Sequence, residues 1–411
     1  MRVLIVNTSE RTGGAAVAAS RLMEALNNNG VKAKMLVRDK QTNNLCVVQH
    51  PQQRRLRWAF LWERLVIWLR LHLRRKRLFE IDIANSGADI TQLPEFQEAN
   101  VIHLHWVNQG MLSLKQIRKI LDSGKPVVWT MHDIWPATAI CHLTLACRKF
   151  EEKCGPCPLI SNNLAGQVWR KKQQLLEGKR VTFVACSEWL AGEARKSALL
   201  KGQTVVSIPN PIDTHVFRPG ERQVARRALG LPEDGKMILF VSQRATNPYK
   251  GMQYLVEACK MKNIDNVFVA ILGGHAEELE GQLPVKSYAL GYINDEQRIV
   301  QAYQAANVFV LPSLSENLPN TIMEAMGCGV PCLAFNVGGV PEEIEHKKTG
   351  YVAAYRDAED LSRGLRWILE EADYDALSAA CLHHVAACYS QQSVAKRYIE
   401  VYENQHSHHN V

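Results

Sequence analysis

The sequence predicts an α/β protein of two domains, each a parallel sheet with helices on both faces, the two facing each other across a cleft. Three observations carry this. The chain has 411 residues, whereas a single hydrophobic core stops growing at about 250–300 residues. Short runs rich in Val and Ile alternate with segments of helical period, as buried parallel strands joined by helices do. The alternation halts at a stretch rich in Pro and Gly and then begins again. A composition of 46% hydrophobic and 22% charged residues is that of an ordinary globular protein.

In the first half the strand candidates are residues 2–7, 34–37, 101–105, 127–131, 181–185 and 205–208. Helix candidates lie between them at 15–28, 113–123, 164–177 and 188–196. Gly30 and Gly124 follow the first two, at the position where glycine often ends a helix. Residues 40–95 interrupt the rhythm and read as an insertion. From Pro209 through Asp213 to Pro219 and Gly220 the chain can continue neither a strand nor a helix, and this is the expected hinge. In the second half strands are expected at 237–242, 267–272, 308–311 and 331–335, with helices near 251–262, 295–305, 319–327 and 358–371. A last helix at 393–404 is expected to reach back to the first domain. The domains are therefore 1–212 and 213–390, both Rossmann-like, followed by a C-terminal helix and frayed tail at 391–411. His406, His408 and His409 in that tail are solvated or bind metal weakly. Sheets of this kind bind ligands beyond the carboxyl ends of their strands.

The charge is uneven. Between Arg54 and Arg77 nine basic residues stand against one acid, Glu63, an excess that equals the +8 of the whole chain. A protein-wide nucleic-acid footprint is thereby disfavoured. Neither a secretory signal nor an apolar run of about 18 residues is present. A cytoplasmic protein is expected, and its eleven cysteines are expected as thiols or metal ligands.

Four groups of residues carry chemistry. Gly13 and Gly14 follow the first strand and open the first helix, where backbone N–H groups can approach a phosphate; a plain tight turn needs the same residues. The three-glycine dinucleotide fingerprint is absent, which disfavours a nicotinamide or flavin enzyme. Arg244 and Lys250 flank a loop after the first strand of the second domain. Two cations beside a helix start suit a diphosphate, and the alternative is a pair of solvated surface charges. Glu316 precedes a helix that contains Glu324. One carboxylate can accept bonds from sugar hydroxyls and the other can clamp a ribose; alternatively Glu316 caps the helix and Glu324 faces solvent. His132 ends a strand.

Glu316-Asn317-Leu318-Pro319, Glu324-Ala325-Met326-Gly327, Pro331 and Gly338-Gly339-Val340-Pro341-Glu342 closely resemble the retaining glycosyltransferases of family four, whose fold is GT-B. Gly13-Gly14, Thr130-Met131-His132-Asp133, Asn210, Asp213, Phe217, Pro219, Arg244 and Lys250 extend the resemblance over nearly the whole chain. It implies a first domain on the acceptor side and a second that binds a nucleotide-diphosphate-sugar. Glu324 would bind the donor ribose, and Glu316 would hold the transferred sugar near the N–H groups of Asn317 and Leu318. Arg244 and Lys250 would stabilise the leaving diphosphate, and His132 would face the donor sugar. The five residues between Arg244 and Lys250 make a longer loop than the family's usual one. The family needs no metal, and among the donor-site motifs there is no Asp-x-Asp to hold one for the diphosphate. A nucleotide-sugar epimerase and a non-catalytic sugar-nucleotide scaffold are the rival readings; the glutamate pair with its Asn-Leu-Pro turn favours transfer.

Two further segments remain. Cys141, Cys147, Cys154 and Cys157 offer four thiols for a structural zinc. Their spacing is not that of a zinc ribbon, and unligated thiols or a redox pair are the alternatives. Residues 54–77 combine Trp58, Trp62 and Trp68 with the arginines, the composition of an interfacial anchor, in which each basic residue near an anionic surface contributes about 1 kcal/mol. The segment is expected either to dock the enzyme on the inner leaflet beside a lipid-linked glycan, as in family members that build surface polysaccharide, or to pack as a helix with its tryptophans buried and its arginines in water.

Overall fold

The computed structural model describes residues 1–144, 146–261 and 264–409, apart from the side chains of 406–409. The chain forms two compact units, Met1–Pro209 with Val394–Val411, and Asn210–Ser393.

The first unit comprises β1 (Arg2–Ser9), α1 (Gly14–Asn28), β2 (Lys32–Asp39), β3 (Val47–Gln49), α2 (Gln53–Arg70), α3 (Pro94–Glu98), β4 (Val101–Leu104), α4 (Leu114–Asp122), β5 (Val127–Met131), α5 (Leu164–Leu176), β6 (Thr182–Ala185), α6 (Glu188–Arg195) and β7 (Thr204–Ser207). Its seven strands are parallel, in the order β3-β2-β1-β4-β5-β6-β7. Val3, Leu4, Ile5 and Val6 of β1 are all buried, because a central parallel strand is covered on both faces. Ser113 begins α4 by accepting from the Gln116 N–H at 3.3 Å, one half of a capping box. The order reverses between β1 and β4. The carboxyl ends there lead to Gly13 and to His105, and β5 beside them leads to His132.

The second unit comprises α7 (Arg222–Leu229), β8 (Lys236–Arg244), α8 (Met252–Lys260), β9 (Val267–Gly274), β10 (Lys286–Gly291), α9 (Glu296–Ala305), β11 (Val308–Leu311), α10 (Asn320–Gly327), β12 (Cys332–Phe335), α11 (Val340–Glu343), β13 (Gly350–Ala353), α12 (Ala358–Arg366) and α13 (Tyr374–Cys388). Its six parallel strands run β10-β9-β8-β11-β12-β13. Here the order reverses between β8 and β11, whose carboxyl ends lead to Arg244 and to Glu316. α14 (Gln391–His409) is the last element, and from Val394 onward it is part of the first unit. Its Val394, Ala395, Tyr398 and Tyr402 are buried against β1, β4 and β5. The Tyr402 hydroxyl lies 2.7 Å from His103 Nδ1, and that of Tyr398 lies 3.0 Å from Thr130 Oγ1.

Several elements differ from the sequence expectation. Within residues 40–95, read as an insertion, Val47–Gln49 joins the sheet as β3, paired in parallel with β2. The helix expected at 358–371 is α-helical only to Arg366 and then widens to π-helical from Trp367 to Glu371. Pro319 is the N-cap of α10 and not its first residue. The histidine tail lies among the side chains that the structure does not describe. Among the described residues no helix is long and apolar enough to cross a membrane.

Candidate functional site

In the second unit the β8 carboxyl end and the loop after β11 bring an opposite charge pair together. Asn247 accepts from the Tyr249 N–H at 3.1 Å and turns the chain. Gly251 then starts α8 with φ 73°; a Cβ there would stand 1.8 Å from the Pro312 carbonyl oxygen, so only glycine fits. This contact ties the Lys250 loop to the segment that carries Glu316, and Lys250 Nζ donates to Glu316 Oε1 at 2.5 Å. Gly338, at φ 58°, meets the Glu316 carbonyl oxygen in the same way, at 1.8 Å from a built Cβ, and the Gly339 N–H donates to the Asn317 carbonyl at 2.8 Å. The glycine pair thus clamps the backbone of Glu316 and Asn317. Leu318 is buried beside them.

Glu324, on α10, is 8% exposed and accepts from the Tyr303 hydroxyl at 2.7 Å. It does not face solvent, so the bland alternative for this residue fails. Glu316 does not act as a helix cap either, since Pro319 holds that position without a side-chain bond. Arg244 is exposed, and its Nε donates to Thr246 Oγ1 at 3.1 Å. Two residues that carried no sequence signal border this constellation. Tyr303 holds Glu324. Glu343 is fully buried, and neither of its oxygens has a hydrogen-bond partner among the described residues. Burial above all, then the charges of Glu316 and Glu342, push its carboxyl well above the usual range.

In the first unit Gly13, at φ 89°, caps α1, and Gly14 is the first helical residue. His132 lies 2.9 Å, Nε2 to Nδ1, from His105, and the two rings stack at 5.2 Å. Cys186 Sγ stands 3.5 Å from His132 Nδ1. Burial lowers His132 to about 4, which outweighs the raising effect of Asp133. His103 is lowered to about 3 by burial and then by His132. All three imidazoles are therefore neutral near pH 7, since burial also holds His105 well below its usual value. His103, on β4, and His105, just past its end, are two residues apart and their rings lie 4.3 Å from each other, an alternation the sequence carries.

Beside it runs a charged network. His142 is 2.8 Å from Asp133 and 2.6 Å from Asp82, and Asp82 pairs with Arg64. Burial disfavours the His142 charge, but the two carboxylates reverse this and raise it to about 10, so it is a cation held between Asp133 and Asp82. The cysteine-rich loop leaves from this anchor. Cys141, Cys147, Cys154 and Cys157 are half-buried and not joined in disulfides. Burial first, and neighbouring thiols second, raise Cys141 to about 12 and Cys154 to about 11. Among the described residues no three His, Cys, Asp or Glu side chains are placed to hold an ion.

Known proteins fit this geometry. The sequence model described as Glycosyltransferase Family 4 matches residues 12–216, and that of Glycosyl transferases group 1 matches 221–379. A D-inositol 3-phosphate glycosyltransferase 2 of Catenulispora acidiphila is 29% identical over 184 residues, 40% of this chain and 42% of that protein. A D-inositol 3-phosphate glycosyltransferase of Thermobispora bispora is 28% identical over 216 residues, 48% of this chain and 50% of that one, so the chain spans about half the length of these relatives. An uncharacterized glycosyltransferase of Methanocaldococcus jannaschii is 24% identical over 79% of this chain and 89% of its own. Among solved structures, sucrose-phosphate synthase from Thermosynechococcus elongatus shares the fold at TM-score 0.68 and 20% identity, covering 99% of both chains. Anabaena HepE, solved with UDP-glucose, does so at TM-score 0.65 and 15% identity, covering 98% of this chain and 100% of that one. With two parallel-sheet α/β units of the GT-B kind and both family models matched in succession, the chain belongs to the glycosyl transferases of group 1 and family four.

Proposed function

We propose that the protein transfers a sugar from a nucleoside diphosphate-sugar to a glycan acceptor, with retention of configuration and without a metal ion at the diphosphate. The observation that carries this reading is the Lys250–Glu316 pair at 2.5 Å, clamped by Gly251 and Gly338, with the buried Glu324 on the next helix. An ammonium and a carboxylate side by side suit the junction of a sugar diphosphate. Lys250, with Arg244, donates to the phosphate oxygens, while Glu316 and the Asn317 and Leu318 N–H groups address the sugar. Glu324 accepts from the ribose hydroxyls while Tyr303 holds its other side. In the reaction the bond between the anomeric carbon and the β-phosphate oxygen breaks, and the acceptor oxygen forms the new bond on the same face. The acceptor proton passes to the leaving phosphate. The cations stabilise the charge that develops there, the usual chief electrostatic contribution to such catalysis. The neutral His132 takes part as a hydrogen-bonding group and not as a charge. A structural zinc on the four cysteines is not part of this reading.

The acceptor we favour is a lipid-linked glycan of surface-polysaccharide synthesis, a reading supported by the basic and aromatic segment 54–77. The names of the curated relatives favour a second reading, a small phosphorylated polyol. A panel of UDP- and GDP-sugars, scored for nucleotide release with each acceptor class, separates them. Glu324→Ala and Lys250→Ala are each expected to lower turnover at least tenfold, or about 1.4 kcal/mol of transition-state binding, and His132→Ala also impairs transfer. A folded Glu324→Ala protein with near-normal turnover would sink the donor-site assignment. An epimer as sole product would point to the rival enzyme, and no turnover with any donor to the scaffold.

A further inference from the structure

Helix α2 turns its apolar residues the wrong way for a soluble surface. Trp58, Leu61, Trp62, Leu65 and Leu69 are 72%, 53%, 56%, 42% and 54% exposed. Their spacings of three and four residues place them on one face of the helix. The opposite face, with Leu56, Ala59, Glu63, Arg64 and Ile67, is buried in the first unit. The polar members of that buried face are tied down: Glu63 Oε1 accepts from the Ile83 and Ala84 N–H groups at 2.9 and 2.7 Å, and Arg64 pairs with Asp82. The helix is thereby fixed in rotation with Trp58 and Trp62 outward. Leu73 and Phe79, 56% and 61% exposed, continue the apolar surface beyond the helix.

The charge around this stripe is of one sign. Arg54, Arg55 and Arg57 stand exposed at its start, and Arg70, Arg74, Arg75 and Lys76 at its end. Among the described residues none of these seven is paired with a carboxylate, whereas the one acid of the segment, Glu63, is buried. Exposed apolar stripes of this size mark interaction sites. A second copy of this chain is a poor occupant, because docking stripe on stripe would set seven unpaired cations against seven more. A surface with an apolar interior and an anionic skin matches both features.

We infer that α2 lies in the interface of an anionic lipid bilayer, with Trp58, Leu61, Trp62, Leu65 and Leu69 among the upper acyl chains and the two basic clusters on phosphate headgroups. This deepens the lipid-linked reading of the acceptor, because it names the face that meets the membrane. The buried rotation of α2 also assigns the segment two separate tasks: Arg64 and Glu63 fold the domain, and the other cations dock it.

Co-sedimentation of the whole chain with vesicles of phosphatidylcholine and phosphatidylglycerol tests this. Binding is expected with the anionic mixture and absent with phosphatidylcholine alone, and it weakens as salt screens the charges. Trp58→Ser with Trp62→Ser, both exposed and so compatible with the fold, should lower binding at least tenfold. Arg74→Gln with Arg75→Gln and Lys76→Gln should do the same. Nucleotide release from a UDP-sugar without vesicles is expected to be unchanged in these variants, so a failure of docking and a failure of the donor site are told apart. Wild-type protein that stays in the supernatant at low salt overturns the inference. So does binding that survives the double tryptophan change, or a dimer in solution that this change dissolves while vesicles go unbound.

Discussion

Glu343 is a carboxyl group in a place that suits an apolar side chain. It is fully buried, its oxygens are unpartnered among the described residues, and Glu316 and Glu342 are near enough to repel its charge. An isolated buried carboxylate is strongly disfavoured, so the group keeps its proton. Its folded pKa therefore lies above the ordinary carboxylate value of 4.5 that the unfolded chain returns to. Above pH 4.5 the folded state binds one more proton than the unfolded state. The favourable linkage is complete below that pH and is lost as pH rises through the folded value. Glu343→Met, similar in volume and without polar atoms, should raise the urea midpoint at pH 8 more than at pH 4.5. Equal midpoint changes at the two pH values would show that Glu343 is ionised in the fold. The residue illustrates a wider point about this site. Glu316 and Glu324 were legible in the sequence because the Asn-Leu-Pro turn and the helix start fix where carboxylates at that spacing fall. Glu343 and Tyr303 were not, because their roles depend on which strand of the reversed sheet order they come to lie beside.

At the scale of elements, the strand–helix rhythm was readable wherever the strands are central and apolar, as in β1, β5, β8 and β11. Of the four edge strands, β7 was read at 205–208, whereas β3, β10 and β13 escaped. β3 has three residues, and β10 is half-buried, with Lys286 and Ser287 breaking any apolar run. For α2 the composition revealed a basic, aromatic segment but not its rotation. The partners that turn Glu63 and Arg64 inward, Ile83, Ala84 and Asp82, lie about twenty residues further on, beyond the reach of any periodic pattern. The alternative of a packed helix with tryptophans in and arginines out is reversed for Trp58, Trp62 and Arg64. α14 makes the opposite case, since its place in the first unit rests on two tyrosines whose hydroxyls complete a buried chain of polar groups. Tyr402 is fully buried and lies 2.7 Å from His103, itself fully buried. Removing one partner of a buried hydrogen bond costs about 1–3 kcal/mol. Tyr402→Phe should therefore destabilise the first unit by that amount with nucleotide binding kept. An unchanged denaturation midpoint would mean that His103 finds another partner.

At the scale of the molecule, the chain is two separately cored units, and Arg244, Lys250, Glu316 and Glu324 all belong to the second. The first unit has its apolar clusters on the two faces of the seven-stranded sheet, and the second has its own around β8, β9, β11 and β12. The charge follows a similar division, since the excess of basic residues falls in the first unit at 54–77 and the Lys250–Glu316 pair in the second. A ligand that binds only the folded form stabilises it by RT ln(1 + [L]/Kd), about 2.7 kcal/mol at a concentration of one hundred times Kd. This free energy suppresses the local openings of the segments that hold the ligand, and amide exchange reports those openings segment by segment. With a UDP-sugar at saturation, protection should therefore rise most at 242–251, 313–327 and 337–343. Within 1–209 the segments at 47–49 and 53–70, which include α2, should stay unchanged. Lys250→Ala should abolish most of the added protection in all three donor segments, because one glycine-clamped contact joins the first two and a second joins the last two. Added protection confined to the first unit would place the nucleotide elsewhere and remove Lys250, Glu316 and Glu324 from the donor site.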